Sequence, residues 1–206
     1  MMKAPSIRRI MALVVFACTT LVTPLHAGER SVVRGGSDAP VTIMVFSAFT
    51  CPFCADARKQ LDALQAKYPG KLAIVYKHLP LGSGAPTLPH EAALAAAEQG
   101  KFWEMHDTLY DHQGAIGHEA QVVALARRLK LDMPRFQRAL AQHAGAARLA
   151  DDEAEARALH VTGTPTFYIG GYKLEGKQEL SALELMVVHQ LGALAQPTAA
   201  AGKGTP

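Results

Sequence analysis

Between Pro40 and Lys77 the chain reads as strand, helix, strand, and this order limits the fold more than any other feature. Val41-Thr42-Ile43-Met44-Val45-Phe46 is apolar apart from Thr42, the pattern of a strand buried on both faces. Ala57, Leu61, Leu64 and Tyr68 then recur at spacings of four, three and four, which is one face of an amphipathic helix, and Pro69-Gly70 ends it. Leu72 to Lys77, rich in Ile, Val and Tyr, is a second strand. Two strands joined through a helix imply parallel pairing, because parallel neighbours need a crossover connection.

Cys51-Pro52-Phe53-Cys54 sits at the junction of the first strand and the helix. A helix start carries unpaired backbone N–H groups and the positive end of the helix dipole. A thiolate there is stabilised, so its pKa falls below the free value of about 8.5. Cys51, at the very start, is the expected exposed nucleophile. Cys54, one turn in, is placed to attack a mixed disulfide formed at Cys51. Pro52 suits the first turn, where no backbone donor is needed.

The redox setting follows from the N-terminus. Lys3, Arg8 and Arg9 precede an uncharged, mostly apolar run from Ile10 to Val22, followed by Pro24 and Ala27. This is the three-part pattern of a secretory signal peptide cleaved after Ala27, although Leu25 is larger than the residue usual before such a site. A retained N-terminal anchor and an acylated Cys18 are the rival readings. The apolar run is short of the roughly 20 residues that span a bilayer, and Phe16 is bulky beside an acylation site. The whole chain holds 21 basic and 18 acidic residues, but residues 1–27 carry three basic and no acidic ones. The exported part is therefore neutral, which gives no nucleic-acid footprint. Removing the leader also removes Cys18 and leaves Cys51 and Cys54 alone in an oxidising compartment. Cysteines this close bridge almost no loop, so a stabilising disulfide explains them poorly. The expected location is the periplasm.

With 49% hydrophobic residues the chain can bury a core. Ser31 to Arg34 is a short leading strand. Residues 82–160 hold no clear strand. Helices are expected from Pro89 to Gln99, Lys101 to His112, Glu119 to Leu129, Pro134 to His143, and on to about Leu159. Thr166-Phe167-Tyr168-Ile169, Gly170-Gly171 and Tyr172-Lys173-Leu174 form a hairpin with a two-residue turn, and Leu180 to Leu194 is a terminal helix. The tail from Pro197 is expected to be disordered.

Other polar residues read as structural. His78, His90, His106, His112, His118, His143, His160 and His189 are scattered and expected mostly on helix surfaces. Asp151-Asp152-Glu153 with Glu155 reads as a solvated helix start, and Phe102 and Trp103 read as core. Lys77 lies at a strand end, either near the cysteines or capping in solvent. Structural zinc sites usually need four ligands, and the chain has no second CxxC. No resident metal or other cofactor is expected. One alternative keeps the same cysteines in another role: a two-thiolate site for a soft ion such as Cu(I), in a copper-handling protein.

Several segments resemble the DsbA-like branch of the thioredoxin superfamily. They are Asp38 to Ile43, Phe46 to Cys54, Lys77-His78-Leu79-Pro80-Leu81, Gly100-Lys101-Phe102-Trp103 and Gly163-Thr164-Pro165-Thr166-Phe167. They occur in the family's order from about residue 31 to 194. The resemblance implies an α/β, thioredoxin-like fold formed by residues 28–82 and 160–196, with an all-helical insertion at 83–159. It implies a protein thiol–disulfide oxidoreductase with Cys51 and Cys54 catalytic. It also implies a cis Pro165 facing Cys51, with Thr164 pairing with an extended substrate chain. Protein substrates with thiols or disulfides, a redox partner that resets the cysteines, with a membrane-bound one among the options, and a monomeric state follow as expectations. Direction, whether oxidation, isomerisation or reduction, is left open. The chain departs from the family at two positions. Phe53 stands where the strongly oxidising type has His, so the Cys51 pKa is expected to be less extreme than the ~3.5 of DsbA. Val45 stands where the family places a buried acid that takes the proton of the second cysteine.

Overall fold

β2 (Val41–Ser47) is the central strand of the sheet. It runs parallel to β3 (Leu72–His78), with Val41 opposite Leu72 and Ser47 opposite His78. The crossover is α1 (Pro52–Lys67), as the strand–helix–strand pattern requires. On its other side β2 pairs antiparallel with β4 (Thr166–Ile169), which turns back into β5 (Tyr172–Glu175). Gly170 and Gly171 make that turn at φ 55° and 86°, a region open to glycine because it lacks a Cβ. The short β1 (Val33–Arg34) is antiparallel to β3 and completes the order β1-β3-β2-β4-β5. This computed structural model describes residues 32–36, 38–82, 84 and 86–195. The expected leader at 1–27, Ser31 and the tail at 197–206 lie outside them.

Five α-helices lie between β3 and β4 among the described residues: α2 (Leu88–Ala97), α3 (Phe102–Asp111), α4 (Glu119–Arg128), α5 (Met133–Ala141) and α6 (Ala146–Ala158). A single 3-10 turn, Gln113–Ala115, follows α3, and α7 (Leu180–Ala195) closes the chain. α5 starts at Met133 because the Asp132 carboxylate accepts the Arg135 N–H at 3.0 Å, and Pro134 occupies a first-turn position where no donor is lost.

The helices extend the sheet's core rather than building a second one. Ile43 and Val45 of β2 and Ala57, Leu61 and Leu64 of α1 share one continuous cluster with Met105 and Leu109 of α3 and Val187 of α7. The opposite face of β2 is covered only at its C-terminal end, where Phe46 meets Leu79, Ala156 and Val161. Burial on both faces therefore holds at Phe46 and fails at Thr42, which is exposed.

Three polar expectations are corrected. His78, His90 and His106 are 0%, 1% and 4% exposed, not on helix surfaces. Their rings pack around Phe49 with those of Tyr76 and Tyr110, and His78 Nδ1 lies 2.9 Å from His90 Nδ1. Polarity alone sends a histidine outward, whereas here the aromatic ring fills core volume. Asp152 is buried, not solvated, because α6 lies over the end of β3. Its carboxylate accepts the His78 backbone N–H at 2.9 Å and Arg148 Nε at 3.0 Å. Lys77 is neither at the cysteines nor a free cap: its ammonium pairs with Glu155 at 2.6 Å and Asp152 at 3.5 Å. Phe102 is core as expected, and Trp103 packs partly buried against that core beneath the Arg34 guanidinium, 4.3 Å from the ring.

The buried histidines set an acid limit on stability. Burial lowers the His90 pKa to about 3 and the His106 pKa to about 4, and holds His78 well below its ordinary value. Unfolded histidine titrates near about 6.5, so below that value the unfolded chain binds more protons than the folded one. Stability contributed by the neutral rings is full above that pH and is lost as pH falls toward the folded values. Each ring contributes a slope of up to about 1.4 kcal/mol per pH unit in that window. Urea unfolding across the window should show a steep loss of stability on acidification, and a flat profile would contradict the buried cluster.

Candidate active site

The strand-to-helix junction fixes the position of the cysteine pair. Cys51 is the N-cap of α1, with extended backbone (φ −85°, ψ 118°) and Pro52 in the first turn. Its carbonyl accepts the N–H of Cys54 at 3.1 Å, which opens the helix, and the Gln113 side-chain amide at 2.9 Å. The same amide reaches the Phe49 carbonyl at 2.7 Å, so the turn after α3 clamps the cysteine loop from outside. Both cysteines are free thiols. Cys51 is half-buried and Cys54 only 1% exposed, while Phe53 between them is 50% exposed.

Thr164 and Pro165 arrive from more than a hundred residues away. Their peptide bond is cis, and the Cys51 thiol donates to the Thr164 carbonyl at 3.4 Å. A thiolate has no proton to donate, so ionisation of Cys51 releases this carbonyl. The expected residues Cys51, Pro52, Phe53, Cys54, Thr164 and Pro165 thus come together, and Lys77 does not join them.

The two thiols are pushed in opposite directions. The Cys51 pKa is lowered to about 5, first by a hydrogen bond from the Cys54 thiol, against the effect of burial, with help from the Thr164 side chain and the backbone N–H groups of Cys54 and Phe53. Burial pushes the Cys54 thiol far up, and the neighbouring Cys51 pushes it further. Cys51 is therefore the thiolate and Cys54 the protonated donor. The Cys51 value lies between the unperturbed ~8.5 and the ~3.5 of DsbA, as the exchange of His for Phe53 leads one to expect.

A hydroxyl network lies beneath Cys54. Ser47 Oγ is 2.7 Å from the Tyr110 hydroxyl, which is 3.2 Å from that of Tyr76; the Tyr76 hydroxyl also donates to the Ser47 carbonyl at 3.3 Å. Ser47, Tyr110 and Gln113 carry no signal in the local sequence. Their roles depend on contacts with segments more than sixty residues away, which no local pattern encodes.

Comparison with known proteins matches this geometry. A family model described as thioredoxin covers residues 28–187. The chain belongs to this thioredoxin family. A thioredoxin-like oxidoreductase from Silicibacter pomeroyi is 30% identical, with a TM-score of 0.70 over 78% of this chain and 91% of its own. Oxidised BdbD from Bacillus subtilis shares the fold at 19% identity, with a TM-score of 0.71 over 82% of this chain and 96% of its own. Both share the thioredoxin-like fold expected from the sequence. A sodium/proton antiporter, NhaA 3 of Salinispora tropica, is 41% identical over 162 residues, which is 78% of this chain but only 24% of the antiporter. The chain thus spans about a quarter of that relative's length. No helix among the described residues is long and apolar enough to cross a membrane.

The opposed thiols predict a simple alkylation pattern. Iodoacetamide should modify Cys51 alone, with a rate that titrates at a pH near 5, while Cys54 stays unreacted in the folded protein. A single transition near the free thiol value, or modification of both cysteines, would contradict this assignment.

Proposed function

We propose that the chain is an exported, periplasmic thiol–disulfide oxidoreductase acting on protein substrates through Cys51 and Cys54. The observation that carries the reading is the pairing of an accessible, low-pKa Cys51 with a buried, protonated Cys54 in the first turn of one helix. Thiolate Cys51 attacks a substrate disulfide, forming a Cys51–substrate disulfide and releasing one substrate thiolate. Cys54 then attacks Cys51, forming the Cys51–Cys54 disulfide and releasing the second. The reverse sequence oxidises a substrate dithiol. The carbonyl of Thr164, freed on ionisation of Cys51, is an acceptor for an extended substrate backbone beside the nucleophile. Phe53 adds an exposed aromatic surface at the rim.

The soft-metal reading is the weaker one. Two-coordinate binding by thiolates needs both cysteines ionised, and burial opposes this at Cys54. Among the described residues no group of three or more His, Cys, Asp or Glu is arranged to hold an ion.

Two variants separate the proposed roles. Cys51→Ala should reduce disulfide exchange with a model protein substrate to the uncatalysed rate. Cys54→Ser should still attack but fail to resolve, so a covalent complex that dithiothreitol releases should accumulate. Activity surviving in Cys51→Ala, or no trapped complex with Cys54→Ser, would count against the reading.

A further inference from the structure

Cys54 must lose its proton to attack, and it is buried where that loss is hardest. The position six residues before Cys51 holds Val45, which offers no base. The chain instead forms a pocket behind Cys54. Ser47, Cys54, Arg58, Trp103, His106 and Tyr110 are among the residues that line it. It has room for about one water. Two of its lining side chains carry buried donors with no partner in the protein, Arg58 Nε and Trp103 Nε1. Buried N–H groups are nearly always paired, with water where protein offers nothing, so the pocket is built to hold one.

Most bases around this pocket are already engaged. Asp62 faces the Arg34 guanidinium at 2.7 Å and Arg58 at 3.5 Å. Asp107 accepts from Arg34 at 2.6 Å and lies 2.8 Å from His106 Nδ1. The carboxylate at Nδ1 fixes the tautomer: Nδ1 carries the hydrogen, and Nε2 is left with a lone pair. His106 is therefore the uncharged base on the pocket wall, oriented by a carboxylate that the Arg34 guanidinium holds in place.

We propose that His106, positioned by Asp107, accepts the proton of Cys54 through a water in this pocket. The proposal rests on the thiol-exchange reading above. As Cys54 sulfur bonds to Cys51 sulfur, the Cys51–substrate bond breaks and its electron pair leaves with the substrate thiolate. The Cys54 proton passes to the pocket water, whose own proton passes to Nε2. The imidazolium, which Asp107 favours but burial opposes more strongly, is short-lived and returns its proton to solvent. When a substrate thiolate attacks the Cys51–Cys54 disulfide, the same path delivers a proton to the departing Cys54 thiolate. No external oxidant or reductant enters this step. The charged and titratable groups around His106 come from every side: Arg34 from β1, Arg58 and Asp62 from α1, Tyr76 and His78 from β3, and Asp107 and Tyr110 from α3, with His90 of α2 beyond Phe49.

The test follows the resolution step alone. Cys51 is loaded with thionitrobenzoate, a leaving group that stays ionised at neutral pH, and its release by Cys54 is timed. With an internal base the wild-type rate should be nearly independent of pH between about 6 and 8, because the base is already neutral there. His106→Asn keeps a donor for Asp107 but has no nitrogen at the ε position. It should slow release roughly 100-fold, the usual scale for a lost general base, and make the rate rise in proportion to hydroxide. Iodoacetamide modification of Cys51 should be unchanged in this variant. A wild-type rate that is itself first order in hydroxide would overturn the proposal whether or not the variant folds. So would a folded His106→Asn that releases at the wild-type rate. A wild-type protein that loads at Cys51 but never releases would overturn the thiol-exchange reading itself.

Discussion

The hydrogen bond from the Cys54 thiol to the Cys51 sulfur is the interaction on which the site depends. It is the largest contributor to the low pKa of Cys51, and together with the burial of Cys54 it fixes which of two chemically identical side chains is ionised. Everything that holds it in place belongs to the fold. β2 delivers the loop, Pro52 starts the helix, and the first turn brings Cys54 inward against Ser47 while leaving Cys51 at the surface. The helix dipole and the backbone N–H groups of Phe53 and Cys54 act in the same sense. A shift of α1 by one residue would rotate Cys54 out of the core and end the asymmetry.

The helices between β3 and β4 take part in this arrangement rather than only covering the sheet. α3 supplies Phe102, Met105 and Leu109 to the common core, and on the same helix His106, Asp107 and Tyr110 reach the region behind Cys54. Gln113, just past α3, holds the cysteine loop by two carbonyls. Arg34 of β1 ties α1 to α3 by bridging Asp62 and Asp107. The polar contacts are therefore concentrated where sheet, α1 and α3 meet, which is also where an acid–base pathway for a buried thiol is needed.

Much of this was legible in the sequence, for identifiable reasons. Strand and helix periods in 41–77 gave the parallel unit, and the two glycines at 170 and 171 gave the hairpin, because both signals are local. Cys51 and Cys54 were marked by their spacing and their place at a helix start. The convergence of Thr164 and Pro165 on Cys51 came from resemblance, not from any local pattern. What was missed depends on packing between distant segments. His78, His90 and His106 are polar by composition but sit as rings around Phe49, and Asp152 is buried because a backbone N–H of β3 needs an acceptor. Ser47, Tyr110 and Gln113 act through partners that only the tertiary fold brings near.

In the proposed thiol-exchange role, Cys51 and Cys54 form a reversible redox couple poised by a moderately stabilised thiolate. The reduction potential, measured by equilibration with glutathione, tests it most directly. Stabilising the reduced thiolate raises the potential, so a Cys51 between thioredoxin and DsbA in acidity places the couple between about −270 mV and about −120 mV. A value in that interval is the predicted result. A potential at or below that of thioredoxin would rule out the poised thiolate, and no reversible dithiol–disulfide equilibrium at all would rule out the redox couple.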